Sequence, residues 1–456
     1  MRWGICEGRS WVIVIFAEGK VSQITLIKVL VIVYSVTIFS RVISKEITST
    51  FELSLSLFVL GVVLFRRLLA DQGAIPRSAL ILTAFFLYLA AHFFYSIFYH
   101  SFITWKMGFW DMVFCNIYEF KVSYLGYCMF FPFLGLKIHD SWKLENFLVL
   151  VLKCFAIYTI GEQIVSLAGF RSTIEWFFQN NGMVTGNLIG LRSLGMYRVW
   201  GLIGSTPLLG LVHVFLFFWL LHRRESSYWR FLAFFAIVLS TSKTAWVVFL
   251  LLYAVYLANE SKRLLVMFVL TVIPLVYSVV LFGTTSENPF VRNFSESSTN
   301  FIFIATYRID PATDIFVEGN SFQEMVDDLC STSFLFGKGQ TFSFTGPLDL
   351  PRPLLNFQNL TSDFYIISFV QQFGLIGLGL FTLVFFAIPM RGLWLKGKGE
   401  HYYILITFFL ACGHYPPQIS KLLMLFVGFS LWKVFCGGGH VELESISSSS
   451  NRNFIV

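Results

Sequence analysis

The sequence predicts an all-α polytopic membrane protein with about 12 transmembrane helices and a large external loop between spans 9 and 10. Of its 456 residues, 56 % are hydrophobic and 13 % are charged, whereas about a quarter of the residues of soluble domains are charged. Apolar runs of about 20 residues, the length of a spanning helix, recur along the chain. Short clusters of Arg and Lys separate some of these runs, as in the cytoplasmic loops of membrane proteins.

Ten apolar runs predict one span each, and one further region is ambiguous. In chain order the ten spans are 21–41, 50–69, 78–98, 119–137, 145–169, 201–221, 263–282, 364–390, 402–414 and 419–436. The ambiguous region, 228–258, forms either one long helix or two short helices that turn at Ser240-Thr241-Ser242-Lys243.

The distribution of basic residues favours the two short helices. With a hairpin, the basic loops all lie on one side of the membrane: 66–77, 137–143, 222–230, 259–263 and 391–401. The positive-inside rule therefore predicts that both chain termini are cytoplasmic. Each arm of the hairpin, with about 14 residues, is roughly 21 Å long, which is shorter than the bilayer's hydrocarbon core of about 30 Å.

This topology places two long segments outside, 170–200 and 283–362. The loop 283–362 contains nine acidic and four basic residues, and its apolar stretches, such as FIFIATYRIDPATDIF, predict a folded cap. We therefore expect one integral membrane domain over residues 1–436. The tail 437–456, which includes the run Ser447 to Ser450, is predicted to be disordered and cytoplasmic.

Several classes of function are not indicated. The net charge of +7 resides in short clusters between apolar runs, which does not suggest a nucleic-acid-binding stripe. None of the eight histidines lies in 170–200 or 283–362, and no metal-ligand spacing, Walker motif or GxGxxG loop occurs. The sequence therefore predicts no metal, no cofactor and no ATP hydrolysis.

Cations stand out in two of the external elements. Arg198, with Arg192 upstream, precedes the span that begins GLIGSTPLLG, and an Arg there can offer a bidentate fork to phosphate oxygens. The alternative is an interfacial Arg that snorkels beside Trp200. Lys243 lies at the hairpin turn, where the next helix exposes N–H groups that suit an anion. Its alternative role is to anchor the hairpin at the interface.

The late external loop supplies a third group of candidates. Arg308 and Lys338, which lies in the turn Phe336-Gly337-Lys338-Gly339, are its cations of interest. Asp363 stands just before the next helix, where it is expected to be an N-cap and is also a candidate general base. Lys28, Lys153 and Glu162 lie inside apolar runs, and we expect them to snorkel from the span ends.

These motifs and their order resemble those of a known family. An external segment that ends in Arg before a GxxG span is followed by the hairpin STSKTAWVVFLLL, the loop motif FLFGKGQ and the exit helix SDFYIISFVQQFGLIGLGLF. This layout resembles the Wzy-type O-antigen and exopolysaccharide polymerases, and also the O-antigen ligases of the same superfamily. The resemblance covers roughly Met196 to Met390.

Two positions depart from the family's pattern. Ser242-Lys243 stands where the family usually has Ser-Arg, which keeps the charge and loses the planar fork. Ser362-Asp363 stands where the ligases carry His-Asn, so the resemblance favours the polymerase branch. An Arg-x10-Gly spacing described for some polymerases occurs twice, from Arg171 to Gly182 and from Arg308 to Gly319.

The resemblance implies a function and a set of roles. The protein would polymerise undecaprenyl-pyrophosphate-linked oligosaccharide repeat units by metal-independent, inverting glycosyl transfer at the periplasmic face of a bacterial inner membrane. A chain-length regulator is a further implied partner beside the lipid bilayer. A flippase or transporter of lipid-linked sugars, and an O-antigen ligase, are the alternative functions. The expected catalytic residues are Arg198, Arg308, Lys243 and Asp363, and the expected substrate-binding residues are Arg192, Arg171 and Lys338.

Overall fold

The computed structural model describes residues 22–40, 51–62, 79–103, 117, 120–180, 192–193, 196–197, 199–282, 292, 295, 309–310, 315–316, 335–337, 365–396, 399–413 and 420–436. We label its helices in chain order: α1 Gln23–Ser40, α2 Phe51–Val62, α3 Ala79–Ile103, α4 Leu125–Cys128, α5 Ile138–Val165, α6 Arg171–Asn180, α7 Thr206–His222, α8 Ser227–Leu239, α9 Lys243–Glu260, α10 Lys262–Phe282, α11 Tyr365–Thr382, α12 Ile388–Lys396, α13 Glu400–Ala411 and α14 Lys421–Phe435. Two small antiparallel ladders pair β1 Arg192–Ser193 with β2 Met196–Tyr197, and β3 Ile309–Asp310 with β4 Ile315–Phe316.

The described part of the chain is mostly helical, and three of its helices are long and apolar enough to cross a membrane. These are Leu80–Phe98, His139–Phe177 and Gln372–Leu395, and five shorter apolar helices accompany them. The helical, membrane-compatible character that the sequence predicts is thereby confirmed. The number of spans and the sidedness of the long loop stay predictions, as does the tail 437–456, which lies outside the described residues.

Helix α7 is the centre of the bundle. It is buried from Thr206 to Leu220 except at Pro207, and it packs against α5, α8, α9 and α13. A helix that is apolar on all sides is typical of such a central position. Proline in its first turn suits the start of a helix, where the missing N–H would have no intrahelical partner.

Residues 228–258 form the predicted hairpin. Helix α8 ends at Leu239, Ser240–Ser242 make the turn, and α9 begins at Lys243. The prediction of two short helices is therefore confirmed. With 13 residues, α8 is about 20 Å long.

The predicted span 119–137 is wrong as a single helix. A π-helical turn over Phe120–Tyr124 leads into the four residues of α4, and a 3-10 turn follows over Phe131–Phe133. Pro132 explains the interruption, because it lacks the N–H that would continue the helix and its ring clashes with the preceding turn. Gln23 on α1 donates to the carbonyls of Pro132 at 2.6 Å and Leu134 at 2.8 Å, so these acceptors are satisfied away from water.

Two other predicted boundaries also shift. The span predicted to end at residue 169 continues from α5 through a π-helical turn, Ser166–Phe170, into α6. The segment 170–200, which is predicted to be external, therefore begins as helix, bent at Gly169, where φ is 100°. The predicted span 364–390 is interrupted at Gly374, where φ is 64°, and it continues through a π-helical turn, Leu383–Ala387, into α12.

Contacts between aromatic rings join α3 and α4 to α11 and to the π-helical turn that follows it. The Phe85 ring meets Tyr127 at 5.7 Å and Phe385 at 5.7 Å, each edge to face. Phe381 stacks obliquely on Phe385 at 4.7 Å. Each of these ring pairs adds about 1 kcal/mol beyond the area that it buries.

A network of ion pairs closes the bundle at the C-terminal end of α7. The Glu145 carboxylate of α5 accepts from the Trp219 indole at 3.2 Å, and it lies 3.2 Å from Lys433 and 3.9 Å from Arg223. Lys433 also donates to Ser141 at 3.0 Å. One carboxylate therefore ties α5, α7 and α14 together.

Glu145→Gln is expected to destabilise the bundle by about 3 kcal/mol, because it leaves two largely buried cations without their anion. Thermal unfolding of the detergent-solubilised protein measures the loss. Glu260→Gln, at the exposed end of α9, is the control and should melt like the wild type. Equal melting temperatures for the two variants would contradict the assignment.

Candidate functional site

The structure describes the predicted site residues unequally. Arg171 is described completely, whereas Lys243 and Arg192 are described only by the backbone, as the first residues of α9 and β1. The other four predicted residues lie outside the described residues: Arg198, Arg308, Lys338 and Asp363. The site is therefore built below from the described residues that neighbour them in the chain.

Arg171 lies at the junction between α5 and the segment that leads to α7. Its guanidinium carbon is 5.0 Å from the centre of the Tyr197 ring and 4.3 Å from the Trp200 ring. Its Nε donates to Glu175 Oε1 at 2.9 Å, and only 5 % of the residue is exposed. These contacts pack the segment before α7 against α6. A contact between Arg171 and substrate stays a prediction.

Glu162 is a candidate functional residue that the sequence reasoning missed. Instead of snorkelling, it is 6 % exposed, and its two carboxylate oxygens accept the consecutive backbone N–H groups of Trp200 at 3.1 Å and Gly201 at 2.9 Å. Two adjacent N–H groups on one carboxylate form a charge-assisted pair. The available signal was an ionisable residue inside an apolar run, which is by default a functional candidate.

Two further side chains bind the backbone of the same segment. Gln163, in the amide orientation that satisfies both of its polar atoms, donates to the Tyr197 carbonyl at 3.2 Å and accepts from the Tyr197 N–H at 3.2 Å. The Thr206 hydroxyl donates to the Val199 carbonyl at 2.9 Å. Side chains of α5 and α7 thus bind the backbone of Tyr197, Val199, Trp200 and Gly201.

The hairpin turn carries a strained and unsatisfied residue. Thr241 has a φ of 55°, a conformation that β-branched residues rarely adopt. It is 4 % exposed, and among the described residues its hydroxyl has no hydrogen-bond partner. The same holds for the buried indole N–H of Trp246 in the first turns of α9. Strain and unpaired buried donors are costly, and both are typical of functional sites.

Its neighbours satisfy their own polar groups. Ser240 donates to the Ile237 carbonyl at 2.7 Å and accepts from the Ser242 N–H at 3.3 Å. The Ser242 hydroxyl caps α9 by accepting from the Ala245 N–H at 3.2 Å, the usual role of a serine at that position. The two serines of the turn therefore have hydrogen-bond partners, whereas the Thr241 hydroxyl between them has none among the described residues.

Gly210 of α7 brings the turn close to the Tyr197–Gly201 segment. A Cβ at this glycine would lie 2.5 Å from Ala245 Cβ and 2.7 Å from Ser242 Cβ, so only glycine permits the contact. Gly210 is about 6 Å along the helix from Thr206, which binds the carbonyl of Val199. Both segments therefore lie at the N-terminal end of α7.

This arrangement is suited to an oxyanion. The N-terminus of an 18-residue helix carries a partial positive charge. The buried hydroxyl of Thr241 and the indole N–H of Trp246 are neutral donors near that terminus in the chain. In a water-poor site, fixed donors of this kind stabilise developing negative charge strongly.

Part of the late loop 283–362 contacts the bundle at the break in α11. A Cβ at Gly337 would lie 2.2 Å from the carbonyl oxygen of Gln372, and one at Gly374 would lie 2.2 Å from that of Leu335. The Tyr88 hydroxyl of α3 donates to the Phe336 carbonyl at 3.2 Å. The FLFGKGQ motif thus enters the bundle at Leu335–Gly337 through a contact between backbones.

A second cluster of ionisable groups lies at the other end of α7. The atoms of Glu145, Glu400 and His401 that could ligate a metal ion lie within 4.8 Å of one another. Lys433 and Arg223 already flank Glu145, and His401 Nδ1 is within hydrogen-bond distance of the Ser430 hydroxyl, at 3.2 Å. This charge balance is that of an ion-pair network, and we assign no metal to it.

No known protein family, no curated protein and no solved structure matches the chain significantly.

Gly337→Ala is expected to destabilise the protein by about 2 kcal/mol, because a side chain there is strained at a φ of 78° and meets the Gln372 carbonyl. Gly379→Ala, on the helix α11 that the loop contacts, is the control, since nothing lies within 4 Å of its Cβ position. Alanine should stabilise that helical position by up to about 1 kcal/mol. Opposite shifts in melting temperature support the docking of the loop, and an unchanged Gly337→Ala variant contradicts it.

Proposed function

We propose that the protein is a glycan polymerase of a bacterial inner membrane. It joins undecaprenyl-pyrophosphate-linked oligosaccharide repeat units at the periplasmic face, and both chain termini are cytoplasmic. The observation that carries the proposal is the strained hairpin turn at Thr241, with its unpaired buried donor beside the N-terminus of α9. The order of motifs from Met196 to Met390 adds the family resemblance.

The donor substrate in this proposal is a growing chain on undecaprenyl pyrophosphate. When a hydroxyl of the acceptor repeat unit attacks the anomeric carbon, the bond to the pyrophosphate breaks and negative charge develops on the leaving oxygen. The partial positive charge at the N-terminus of α9 and the cations Lys243, Arg198 and Arg308 stabilise that charge, with support from Arg192. Fixed cations in a water-poor site suit this chemistry without a metal ion.

The acceptor must lose a proton as the new glycosidic bond forms. A single direct displacement inverts the anomeric centre and needs one general base beside the attacking hydroxyl. Asp363 is proposed for that role. Arg171 and Lys338 bind the glycan or its pyrophosphate, and the acidic loop 283–362 guides the sugars over the site. A chain-length regulator is the proposed protein partner.

Arg198→Ala and Arg308→Ala are expected to lower the rate of polymerisation by about 10²- to 10³-fold each, because each removes a donor to the developing oxyanion. The variants are expressed in a strain that lacks its own copy of the gene, and polysaccharide length is measured on gels. Long polymer should disappear while single-repeat product accumulates. Unchanged polysaccharide chain lengths would show that neither residue acts in the site.

The same strain separates polymerase from flippase. Without the gene, lipid-linked single repeats should still reach the periplasm and be transferred as one-repeat product. If those repeats remain on the cytoplasmic side, the protein is a flippase and not a polymerase.

Thr241→Val is expected to lower polymerisation about tenfold without lowering stability. Valine has nearly the same shape, and it removes an unsatisfied buried hydroxyl, which costs the free protein nothing. In the complex it removes one donor to the pyrophosphate. The melting temperature and polymer length are measured together.

Thr407→Val is the matched control, because Thr407 is also buried and its hydroxyl already donates to the Tyr403 carbonyl. It should melt slightly lower and polymerise normally. A Thr241→Val variant with normal polymer would show that the hydroxyl binds no substrate.

A further inference from the structure

Side chains from neighbouring helices bind the backbone of Tyr197, Val199, Trp200 and Gly201. The adjacent α5 residues Gln163 and Glu162 bind it at Tyr197 and at the pair Trp200 and Gly201. Thr206 binds the carbonyl of Val199, between those two points. Arg198, the residue between Tyr197 and Val199, lies outside the described residues, but both of its chain neighbours are bound.

A carboxylate is an expensive way to make two buried hydrogen bonds. Burying an ionised group away from water costs several kcal/mol unless it is paired, and apolar packing would stabilise the same junction more cheaply. Here both oxygens of Glu162 accept from consecutive N–H groups. This pattern fixes two successive peptide planes, since each oxygen addresses one of them.

We propose that Glu162 and Gln163 are positioning residues: they fix the backbone of Tyr197, Trp200 and Gly201, and so hold in place the segment that carries Arg198, the residue proposed to bind the substrate pyrophosphate. This inference rests on the proposed function and adds to it a device in α5 that neither touches substrate nor carries out chemistry. Misplacement of a catalytic group by about 1 Å can cost about 10²-fold in rate. The role of Glu162 is therefore expected to appear in activity even where the fold is intact.

Hydrogen exchange tests the positioning without reference to function. In full-length protein reconstituted in lipid nanodiscs, Glu162→Gln should speed exchange of at least one of the Trp200 and Gly201 amides about tenfold or more, because one acceptor oxygen is replaced by an amide donor. Glu175→Gln is the matched control, since it removes the carboxylate that Arg171 binds but does not contact residues 197–201 in the described hydrogen bonds. Exchange that is unchanged in Glu162→Gln overturns the proposal.

A double-mutant cycle separates positioning from general stability. Glu162→Gln alone should lower polymerisation by about 10²-fold, and Gln163→Met, which keeps the buried carboxylate, should act in the same direction. In the Arg198→Ala background, Glu162→Gln should cost almost nothing further, because it acts through Arg198. A full additional loss in that background shows a merely structural role and overturns the proposal.

The two proposals fail in different ways. If Arg198→Ala leaves polymer length unchanged while Glu162→Gln speeds exchange at Trp200 or Gly201, the proposed function of Arg198 is refuted and the backbone contact stands. If Arg198→Ala abolishes polymer and Glu162→Gln polymerises normally despite the faster exchange, the positioning role is refuted and the proposed function stands.

Discussion

A peptide group that leaves a helix inside an apolar bundle must find another partner, because little water is available to it. Most of the bundle meets this constraint with regular helices, and at several breaks a side chain supplies what the helix no longer does. Gln23 serves the carbonyls near Pro132, Glu162 serves the N–H groups of Trp200 and Gly201, and Ser242 caps α9. At these breaks, polar side chains therefore bind backbone groups that the helix leaves without a partner. At the hairpin turn, by contrast, the buried Thr241 hydroxyl has no partner among the described residues.

Helix α5 shows how charge is distributed under this constraint. It carries two buried carboxylates, Glu145 and Glu162, which are about 25 Å apart along the helix. Each is compensated locally, the first by Lys433 and Arg223 and the second mainly by backbone N–H groups. The separation is close to the thickness of a bilayer's hydrocarbon core, about 30 Å. One helix thus provides a charged anchor at each end of α7, and only the anchor at the N-terminal end faces the irregular segment before α7.

The sequence was informative wherever composition alone decides the structure. The span predicted at 263–282 is α10, Lys262–Phe282, and the hairpin turn was placed correctly at Ser240–Lys243. The predicted span 119–137 was wrong because hydropathy counts apolar side chains and does not register the missing N–H of Pro132. The predicted end at residue 169 was wrong because a π-helical turn carries no compositional mark.

The candidate site follows the same division. The cation and hydroxyls of the hairpin turn could be read from the sequence, because helix N-termini and their capping residues have local signatures. The contacts of Glu162 with Trp200 and Gly201 join residues 38 and 39 positions apart in the chain. Such a pairing depends on how α5 and α7 pack, and no local pattern in a single sequence encodes it.

The contact between Gly337 and Gly374 limits how the late loop can change. A Cβ at either glycine would collide with main-chain atoms of the segment that carries the other glycine. The collision does not involve a side chain that a second substitution could shorten. No compensating replacement at the opposite glycine is available, because that residue already has no side chain to lose. A second mutation that restores a variant at either glycine must therefore move a whole backbone segment. Each of the two positions can accept a side chain only if one of the two contacting segments also shifts.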